Sequence, residues 1–263
     1  MKLLKLIVLL VVCFSCKENQ DNKKLSKAND VFSFTDQFKG AHLNESYWNY
    51  DLGDGCPNLC GWGNNERQIY TKENVYVKDG NLIITATKDS TGYYSGKITT
   101  KDKIEFQYGT VEVRAKLPLG TGLWPAFWML GSDIDTNTWP ACGEIDILEY
   151  VGKMPNQIHT TLHTPDSYGK SVNTKISTIE DIEEGFHNYK TNWTKDSISF
   201  YVDDNLVYTF SPDVKNEKTW PFDKPFYLII NLAIGGNFGG PEVDDSIFPQ
   251  DFIIDYVKVS GSN

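Results

Sequence analysis

Short apolar runs separated by turn residues constrain the fold of this chain more than any other feature. Five of them are NLIITAT (81–87), GTVEVRAKL (109–117), SISFYVDD (197–204), FYLIINLAI (226–234) and DFIIDYVKV (251–259). Alternation at every second residue is typical of strands that bury one face, and no helical periodicity continues beyond a turn or two. The sequence therefore predicts an all-β domain over residues 31–263, built as a sandwich of two antiparallel sheets with one concave face.

The first 30 residues have a different composition and are predicted to serve export. Two lysines precede the apolar run Leu6–Val12, which is too short to span a bilayer. A small residue stands before Cys16 and a polar stretch follows it, which resembles the cleavage site of a bacterial lipoprotein. We expect a signal peptide at 1–15, a lipid on Cys16 and a flexible tether at 16–30. This predicts an exported lipoprotein at the outer membrane or surface of a Gram-negative cell, attached only through that lipid. Ordinary signal-peptide cleavage is the alternative.

The cysteines that follow Cys16 indicate a local disulfide. Export permits disulfides, and Cys56 and Cys60 bracket three residues in a Gly-rich loop. We expect these two to pair and the odd Cys142 to remain free and buried. No set of Cys and His has the spacing of a zinc site.

The overall charge excludes one class of partner. The formal net charge is −10 at pH 7, and like charges repel, so nucleic acid is not an expected ligand. Seven Trp and 14 Tyr exceed what packing needs, and aromatic faces are surfaces that proteins lay against sugar rings.

The segment GEIDILEY (143–150) carries the clearest chemical pattern. On a strand, Glu144 and Asp146 project from one face while the isoleucines project from the other, into the core. Glu149 breaks this alternation. One extra residue, a β-bulge around Ile147-Leu148, would return Glu149 to the acidic face.

Three carboxylates on one face repel one another, so at least one is expected to have a raised pKa. Retaining glycoside hydrolysis uses such groups, because one carboxylate attacks the anomeric carbon and another protonates the leaving oxygen. Five residues of extended chain separate two Cα atoms by about 15 Å, whereas retaining carboxyl groups lie about 5–5.5 Å apart. The bulge, the coiling of the strand and the inclination of the side chains must close that difference. Taken alone, the segment fits an acidic, solvent-facing edge strand equally well.

This segment and three others resemble glycoside hydrolase family 16, and within it the bacterial laminarinase-like endo-β-1,3-glucanases, over residues 31–259. The others are GWGNNERQIYT (61–71), VEVRAKLPLGTGLWPAFWML (111–130) and NLAIGGNF (231–238). The resemblance implies a concanavalin-like β-jelly roll with a concave substrate cleft. It implies that Glu144 is the nucleophile, Glu149 the acid/base and Asp146 an electrostatic support. The implied reaction is endo-acting, retaining cleavage of β-1,3-glucosidic bonds in laminarin-type β-glucans, with no catalytic cofactor.

The resemblance also implies a set of residues that bind substrate in the cleft. They are Asn65, Glu66, Arg114, Trp124, Trp128, Trp139, His163 and Asn237. Trp139 lies in a Pro-flanked loop before the catalytic strand, so we expect it to stack on the sugar beside the scissile bond. The alternative for Trp128, inside an apolar run, is core packing, and that for His163 is a hydrogen-bonded structural role. Many members have Trp where this chain has Phe238, which removes an indole N–H from that subsite.

Members of the family often bind a structural calcium on the convex side. The matching positions are Asp255, Gly80 and the backbone near Gln37. The alternative is that Asp255 is a solvent-facing residue of a strand and binds no calcium.

Two other functions compete with a monomeric β-1,3-glucanase. The same fold and mechanism acting on agarose or carrageenan is one, but the cleft segments contain few Lys or Arg, whereas a sulfated substrate favours a basic cleft. A non-catalytic, lectin-like module is the other, although binding a neutral sugar does not require three adjacent anions.

Overall fold

The computed structural model describes residues 32–261, and nearly all regular structure in that range is β-strand. The strands are β1 (Ser33–Asp36), β2 (Asn49–Tyr50), β3 (Gln68–Tyr70), β4 (Val75–Lys78), β5 (Asn81–Lys88), β6 (Tyr93–Ser95), β7 (Lys97–Thr99), β8 (Glu105–Phe106), β9 (Gly109–Lys116), β10 (Leu123–Gly131), β11 (Glu144–Tyr150), β12 (Gln157–His163), β13 (Thr174–Thr178), β14 (His187–Trp193), β15 (Ile198–Val202), β16 (Asn205–Phe210), β17 (Phe226–Ile234) and β18 (Gln250–Ser260). The remaining elements are the helix α1 (Gly236–Gly239) and two 3₁₀ turns, Cys60–Gly63 and Asp245–Ile247. Within residues 32–261, no helix has the length and apolarity needed to cross a membrane. The predicted signal peptide, Cys16 and tether lie outside the described residues.

The strands form a ten-stranded and an eight-stranded sheet. The ten-stranded sheet has the order β16-β15-β14-β9-β18-β5-β6-β3, with β1 beside β18 and β4 beside β5. The eight-stranded sheet has the order β13-β12-β11-β10-β17-β7-β2, with β8 beside β17. All pairings are antiparallel except that of β3 with β6. The predicted two-sheet, all-β architecture is confirmed, with this one parallel pair as an addition.

Alternation along the strands divides core from surface. In β9, Val111, Val113 and Ala115 are fully buried, and Glu112 and Arg114 between them are partly exposed. Strand β17, by contrast, buries all nine of its residues. A strand covered on both faces reads as a continuous apolar run, which explains why FYLIINLAI shows little alternation.

The predicted β-bulge is present in β11. Asp146 lies opposite Thr161 of β12 and Glu149 opposite His159, so three steps along β11 match two along β12. The extra residue turns Glu149 to the same face as Glu144 and Asp146. The residues that remain buried beneath are Ile145, Ile147 and Leu148.

A disulfide closes the loop that precedes β3. Cys56 and Cys60 are bonded, and Cys142 is free and buried, as the sequence predicts. Gly55 has a φ of +82°, and a Cβ added there would lie 2.2 Å from the Leu59 carbonyl oxygen. Only glycine fits this close approach, which folds the loop back on itself.

Candidate active site

The eight-stranded sheet presents the carboxylates of β11 together with side chains from its neighbouring strands. Trp128 of β10 lies opposite Asp146 on one side and Ile229 of β17 on the other. His163 of β12 lies opposite Glu144. Because paired residues share a face, these side chains surround the acidic group from both sides.

Short polar contacts connect the three carboxylates to their neighbours. His163 Nε2 lies 3.2 Å from Asp146 Oδ2 and 3.6 Å from Glu144 Oε1. The 3.2 Å approach lacks hydrogen-bond alignment, so Asp146 Oδ2 is buried without a protein partner. Trp124 Nε1 donates a hydrogen bond of 3.1 Å to Glu149 Oε1. The predicted catalytic residues and two predicted cleft residues therefore form one cluster.

Burial dominates the electrostatics of this cluster. It raises the pKa of Glu144 to about 8 and that of Asp146 to about 7, and it raises the pKa of Glu149 well above its usual range. The charge of Asp146 raises the pKa of Glu144 and Glu149 further, whereas His163 lowers both values. The interaction between the two neighbouring carboxyl groups raises the pKa of Glu144 and lowers that of Asp146. The cluster thus retains protons at neutral pH, which confirms the expected pKa rise and supplies the proton that an acid catalyst must donate.

Glu144, Asp146 and His163 could also serve as metal ligands. One ligand atom from each lies within 4.8 Å of the other two, and carboxylate and imidazole are common ligands of divalent transition metals. Burial raises the pKa of both carboxyl groups, which lessens the charge repulsion between them and accounts for their proximity without a metal. No step derived below involves a metal.

Trp139 lies at the mouth of the site and is 41% exposed. Its ring centroid is 5.8 Å from that of His163 and 5.3 Å from that of Tyr168. A large ring this exposed is not a core residue, so its position agrees with the predicted stacking on a sugar. Tyr168 was not among the predicted residues, because it lies in the loop after β12 and reaches Trp139 only through the fold.

Phe238 of α1 forms a wall beside Glu149. Its ring meets Trp124 at 5.4 Å and His159 at 4.9 Å, nearly perpendicular in both cases. His159 Nε2 is buried without a partner, and burial lowers the pKa of this imidazole to about 4. The imidazole is therefore neutral at pH 7. His159 was not predicted, because it becomes a neighbour of Glu149 only through the register of β11 with β12.

A cavity of about 90 Å³ lies on the other side of the carboxylates, and we call it the tryptophan cavity. It is lined by Leu59, Trp62, Asn64, Glu66, Tyr70, Lys97, Trp128 and Asn231. Glu66 accepts hydrogen bonds from Gln68 (2.6 Å), Tyr70 (3.2 Å) and Asn64 (3.3 Å). Trp128 Nε1 donates to Asn231 Oδ1 at 2.8 Å, so its ring lines the cavity instead of filling the core. Glu66 and Trp128 both line this cavity, and their binding of substrate stays a prediction.

Polar residues predicted from two distant segments meet near this cavity. Asn65 Nδ2 donates a 2.8 Å hydrogen bond to the side-chain Oδ1 of Asn237. The backbone N–H of Asn237 donates to the backbone carbonyl oxygen of Asn64. Lys97, which was not predicted, places its ammonium 3.8 Å from the Trp62 ring centroid. Lys97 sits in a three-residue strand whose sequence carries no chemical motif.

The prediction that Arg114 binds substrate is wrong. Arg114 belongs to β9 of the ten-stranded sheet, where its buried neighbours Val113 and Ala115 point into the core. Its side chain therefore projects from the outer face of that sheet. There Nη1 lies 2.6 Å from Asp255 Oδ2, and the guanidinium lies 4.7 Å from the ring of Phe186.

Comparison with known proteins gives consistent matches. The family model described as glycosyl hydrolases family 16 matches residues 63–257. A beta-glucanase of Rhodothermus marinus is 36% identical over 95% of this chain and 92% of its own length. A glucan endo-1,3-beta-glucosidase A1 of Niallia circulans is 42% identical over 85% of this chain, which spans only 37% of that longer relative. The crystal structure of a laminarinase from Flavobacterium sp. UMI-01 is 62% identical, with a TM-score of 0.85, over 86% of this chain and 98% of that one.

Proposed function

The chain belongs to glycosyl hydrolase family 16, and from this we propose that it is an endo-acting β-1,3-glucanase that cleaves laminarin-type glucans with retention of configuration. The observation that carries the proposal is the bulged strand β11, which holds Glu144, Asp146 and Glu149 on one face beside aromatic walls, with Asp146 buried and the two glutamates partly buried. The named activities of the related β-glucanases and of the structurally similar laminarinase support the substrate class.

The residues support a double displacement. In the first step, the Glu144 carboxylate forms a bond to the anomeric carbon while the glycosidic bond breaks and Glu149 gives its proton to the leaving oxygen. In the second step, Glu149 takes a proton from water, whose oxygen attacks the anomeric carbon and releases Glu144. Two inversions give net retention.

Asp146 and His163 adjust the charge of the nucleophile. Asp146 is the neighbouring group that can take the proton of Glu144, and this transfer frees the charge of Glu144 for attack. The imidazole of His163, close to both carboxylates, lowers the pKa of Glu144 and so favours its ionised form. His163 therefore offsets part of the cost that burial and the charge of Asp146 impose on the ionised nucleophile.

Aromatic surfaces on both sides of the carboxylates support endo-action. Trp139 and Tyr168 lie on the β12 side, and Trp62 and Trp128 lie on the side toward β7. A glucan chain can therefore extend past the scissile bond in both directions, as cleavage inside a chain requires.

The competing functions are less well supported. Lys97, the basic residue of the tryptophan cavity, already faces Asp51 at 3.3 Å and the Trp62 ring. It therefore offers a sulfated galactan little uncompensated charge. A lectin-like module does not need three buried carboxylates with raised pKa values, because an uncharged sugar gains nothing from them.

Product analysis on four polysaccharides tests the proposal. We expect linear β-1,3-glucan to lose viscosity quickly and to release a series of oligosaccharides, with mixed-linkage β-1,3/1,4-glucan cleaved more slowly. Agarose and carrageenan should remain intact, because the proposed enzyme acts on β-1,3-glucosidic bonds, and for the sulfate of carrageenan Lys97 is already paired with Asp51. Faster cleavage of either galactan than of β-1,3-glucan would contradict the assignment, and binding without any cleavage would support the lectin-like alternative.

A structural calcium remains a prediction from the family resemblance. Along β18, strand β5 pairs with the residues before Asp255 and strand β1 with the residues after it. Gln37 follows the end of β1 and Gly80 precedes the start of β5, so both lie near Asp255. Calcium takes oxygen ligands, but Asp255 Oδ2 lies 2.6 Å from Arg114 Nη1. That guanidinium opposes a cation beside the carboxylate. In this arrangement the residues do not fit the ion, and catalysis does not use it.

Lipid anchoring at the outer membrane or cell surface is the second part of the proposal, with the enzyme acting as a monomer. It is supported by the apolar run before Cys16 and by the polar segment after it. A lipidated cysteine carries acyl chains whose burial contributes about 0.8 kcal/mol per CH₂.

We therefore expect the protein to be found with membranes and to become soluble when Cys16 is replaced by Ser. The matched control is Cys13→Ser, which removes a neighbouring thiol that the proposed cleavage discards. Cell fractionation followed by detergent extraction measures the effect. Wild-type protein in the soluble fraction would indicate ordinary secretion instead.

A further inference from the structure

A second cavity, of about 320 Å³, lies beside the cleft. We call it the side pocket, and its lining includes Asn49, Asp51, Thr99, Lys101, Lys103 and Tyr227. None of these residues takes part in the mechanism described above, and the lining is polar.

The strand register puts the side pocket on the same face of the eight-stranded sheet as the carboxylates. Leu130 of β10 lies opposite Glu144 on one side and Tyr227 on the other. Thr99 of β7 lies opposite Asn49 of β2. Because directly paired residues share a face, the pocket is a continuation of the cleft floor toward the edge strand β2.

One ion pair separates the side pocket from the tryptophan cavity. Lys97 lines the tryptophan cavity and Asp51 lines the side pocket. Their charged atoms are 3.3 Å apart. Asn231, which also lines the tryptophan cavity, lies four residues after Tyr227 on β17, a separation of about 13 Å along a strand. The side pocket is therefore displaced sideways from the line that joins the carboxylates to Trp62.

The lining offers hydrogen-bonding groups that the protein does not use internally. Tyr227 is only 5% exposed, and its hydroxyl has no hydrogen-bond partner among the described residues. Asn49 Nδ2 donates to the Lys101 carbonyl oxygen at 2.8 Å, which leaves the amide oxygen of Asn49 free to accept. Asp51 adds a partly exposed carboxylate, of which Oδ2 is paired with Lys97. A phenol, an amide oxygen and a carboxylate around one recess match a ligand rich in hydroxyl groups.

The rim of the pocket is tied to the segment before the catalytic strand. Lys101 Nζ lies 2.7 Å from both carboxylate oxygens of Asp135. Asp135 belongs to the connection between β10 and β11, the same connection that carries Trp139. An exposed ion pair therefore joins the rim of the pocket to the connection that leads to the strand of the nucleophile.

We propose that the side pocket binds a single hexosyl side branch of the glucan, carried by a main-chain unit that lies over Trp62 and Trp128. The inference rests on the proposed function and deepens it to branched β-1,3-glucans. A β-1,3-linked glucosyl unit keeps its 2-, 4- and 6-hydroxyls free, and a substituent on one of them leaves the main chain sideways. The volume of the pocket, about 320 Å³, is large enough for one hexosyl ring.

Binding measurements on a catalytically inactive protein test this assignment. The Glu144→Ser protein is titrated by calorimetry with a linear β-1,3-gluco-oligosaccharide and with the same oligosaccharide bearing one β-1,6-linked glucosyl branch. Tyr227→Phe, which removes only the hydroxyl, and Asn49→Ala are each added to this background. The matched control is Tyr201→Phe, a half-buried tyrosine of β15 in the other sheet.

We expect Tyr227→Phe and Asn49→Ala each to weaken binding of the branched ligand by roughly 3- to 10-fold, as lost hydrogen bonds to a ligand do. The Kd of the linear ligand should stay within twofold, and Tyr201→Phe should change neither value. Thermal midpoints check that each variant remains folded. Equal weakening for both ligands would make the pocket a subsite for the main chain and would overturn the inference, as would no change for either.

The wild-type protein separates failure of this inference from failure of the proposed function. If the wild-type protein cleaves linear β-1,3-glucan, but the substitutions in the Glu144→Ser protein change the Kd of the linear and the branched ligand equally, only the side-branch assignment is wrong. If it neither binds nor cleaves linear β-1,3-glucan, the proposed function fails first and the side-branch assignment with it.

Discussion

Replacing Glu144 with Ser is expected to lower kcat on β-1,3-glucan by roughly 10⁴-fold or more, because no other group can form the bond to the anomeric carbon. Binding of oligosaccharides should persist, since the aromatic walls and the polar residues around the tryptophan cavity are unchanged. Initial rates of reducing-end release, together with calorimetric Kd values, measure the two effects on one preparation. The control Glu217→Ser changes an exposed glutamate and should leave both unchanged.

The same substitution is expected to raise the thermal midpoint at neutral pH. The pKa of Glu144 is raised by burial to about 8, above the value of about 4.3 for an unfolded chain. A raised pKa favours the folded state below pH 4, and that contribution is lost as the pH rises toward 8. Removing Glu144 should therefore stabilise the protein more at pH 8 than at pH 5. A lower midpoint at pH 8, or unimpaired turnover, would contradict the placement of Glu144 as a buried nucleophile.

Side chains alternate between the two faces of a strand, and this alternation made much of the catalytic arrangement predictable from sequence. In GEIDILEY the isoleucines identify the core face, and Glu149 then fits the acidic face only if one residue is added. The β11–β12 register contains that residue. The predicted pairing of Cys56 with Cys60 holds for a similar reason, because the two are close in sequence and the glycines of the loop allow a tight return.

The residues that escaped prediction, or were misplaced, depend on contacts between distant segments. Arg114 was assigned to the cleft by its neighbours in sequence, yet the alternation of β9 points it away from the core on the opposite sheet. Lys97 lies 35 positions after Trp62 in the chain, so nothing local indicates that they meet. Tyr227 sits in a run that is buried throughout, where the sequence does not distinguish the cleft face from the core face.

Glu149→Ala is expected to lose nearly all activity on β-1,3-glucan, by roughly 10²- to 10⁴-fold, because the leaving oxygen then departs without a proton. With an aryl β-glycoside that has a good leaving group, the rate of the first step should fall much less, because that leaving group needs no protonation. The contact from Trp124 Nε1 to Glu149 Oε1 disappears, but Glu144 remains able to attack. The glycosyl-enzyme should therefore form from the activated substrate and accumulate.

Added azide is expected to restore turnover of the aryl substrate by Glu149→Ala, because a small anion can attack the glycosyl-enzyme without a general base. Attack on the α-linked intermediate inverts the anomeric carbon a second time and gives a β-glycosyl azide, whose configuration NMR determines. In the Glu144→Ser protein no such intermediate forms, so any azide product would arise by a single inversion and be α-configured. An α-azide from Glu149→Ala, or a β-azide from Glu144→Ser, would require the two roles to be reassigned.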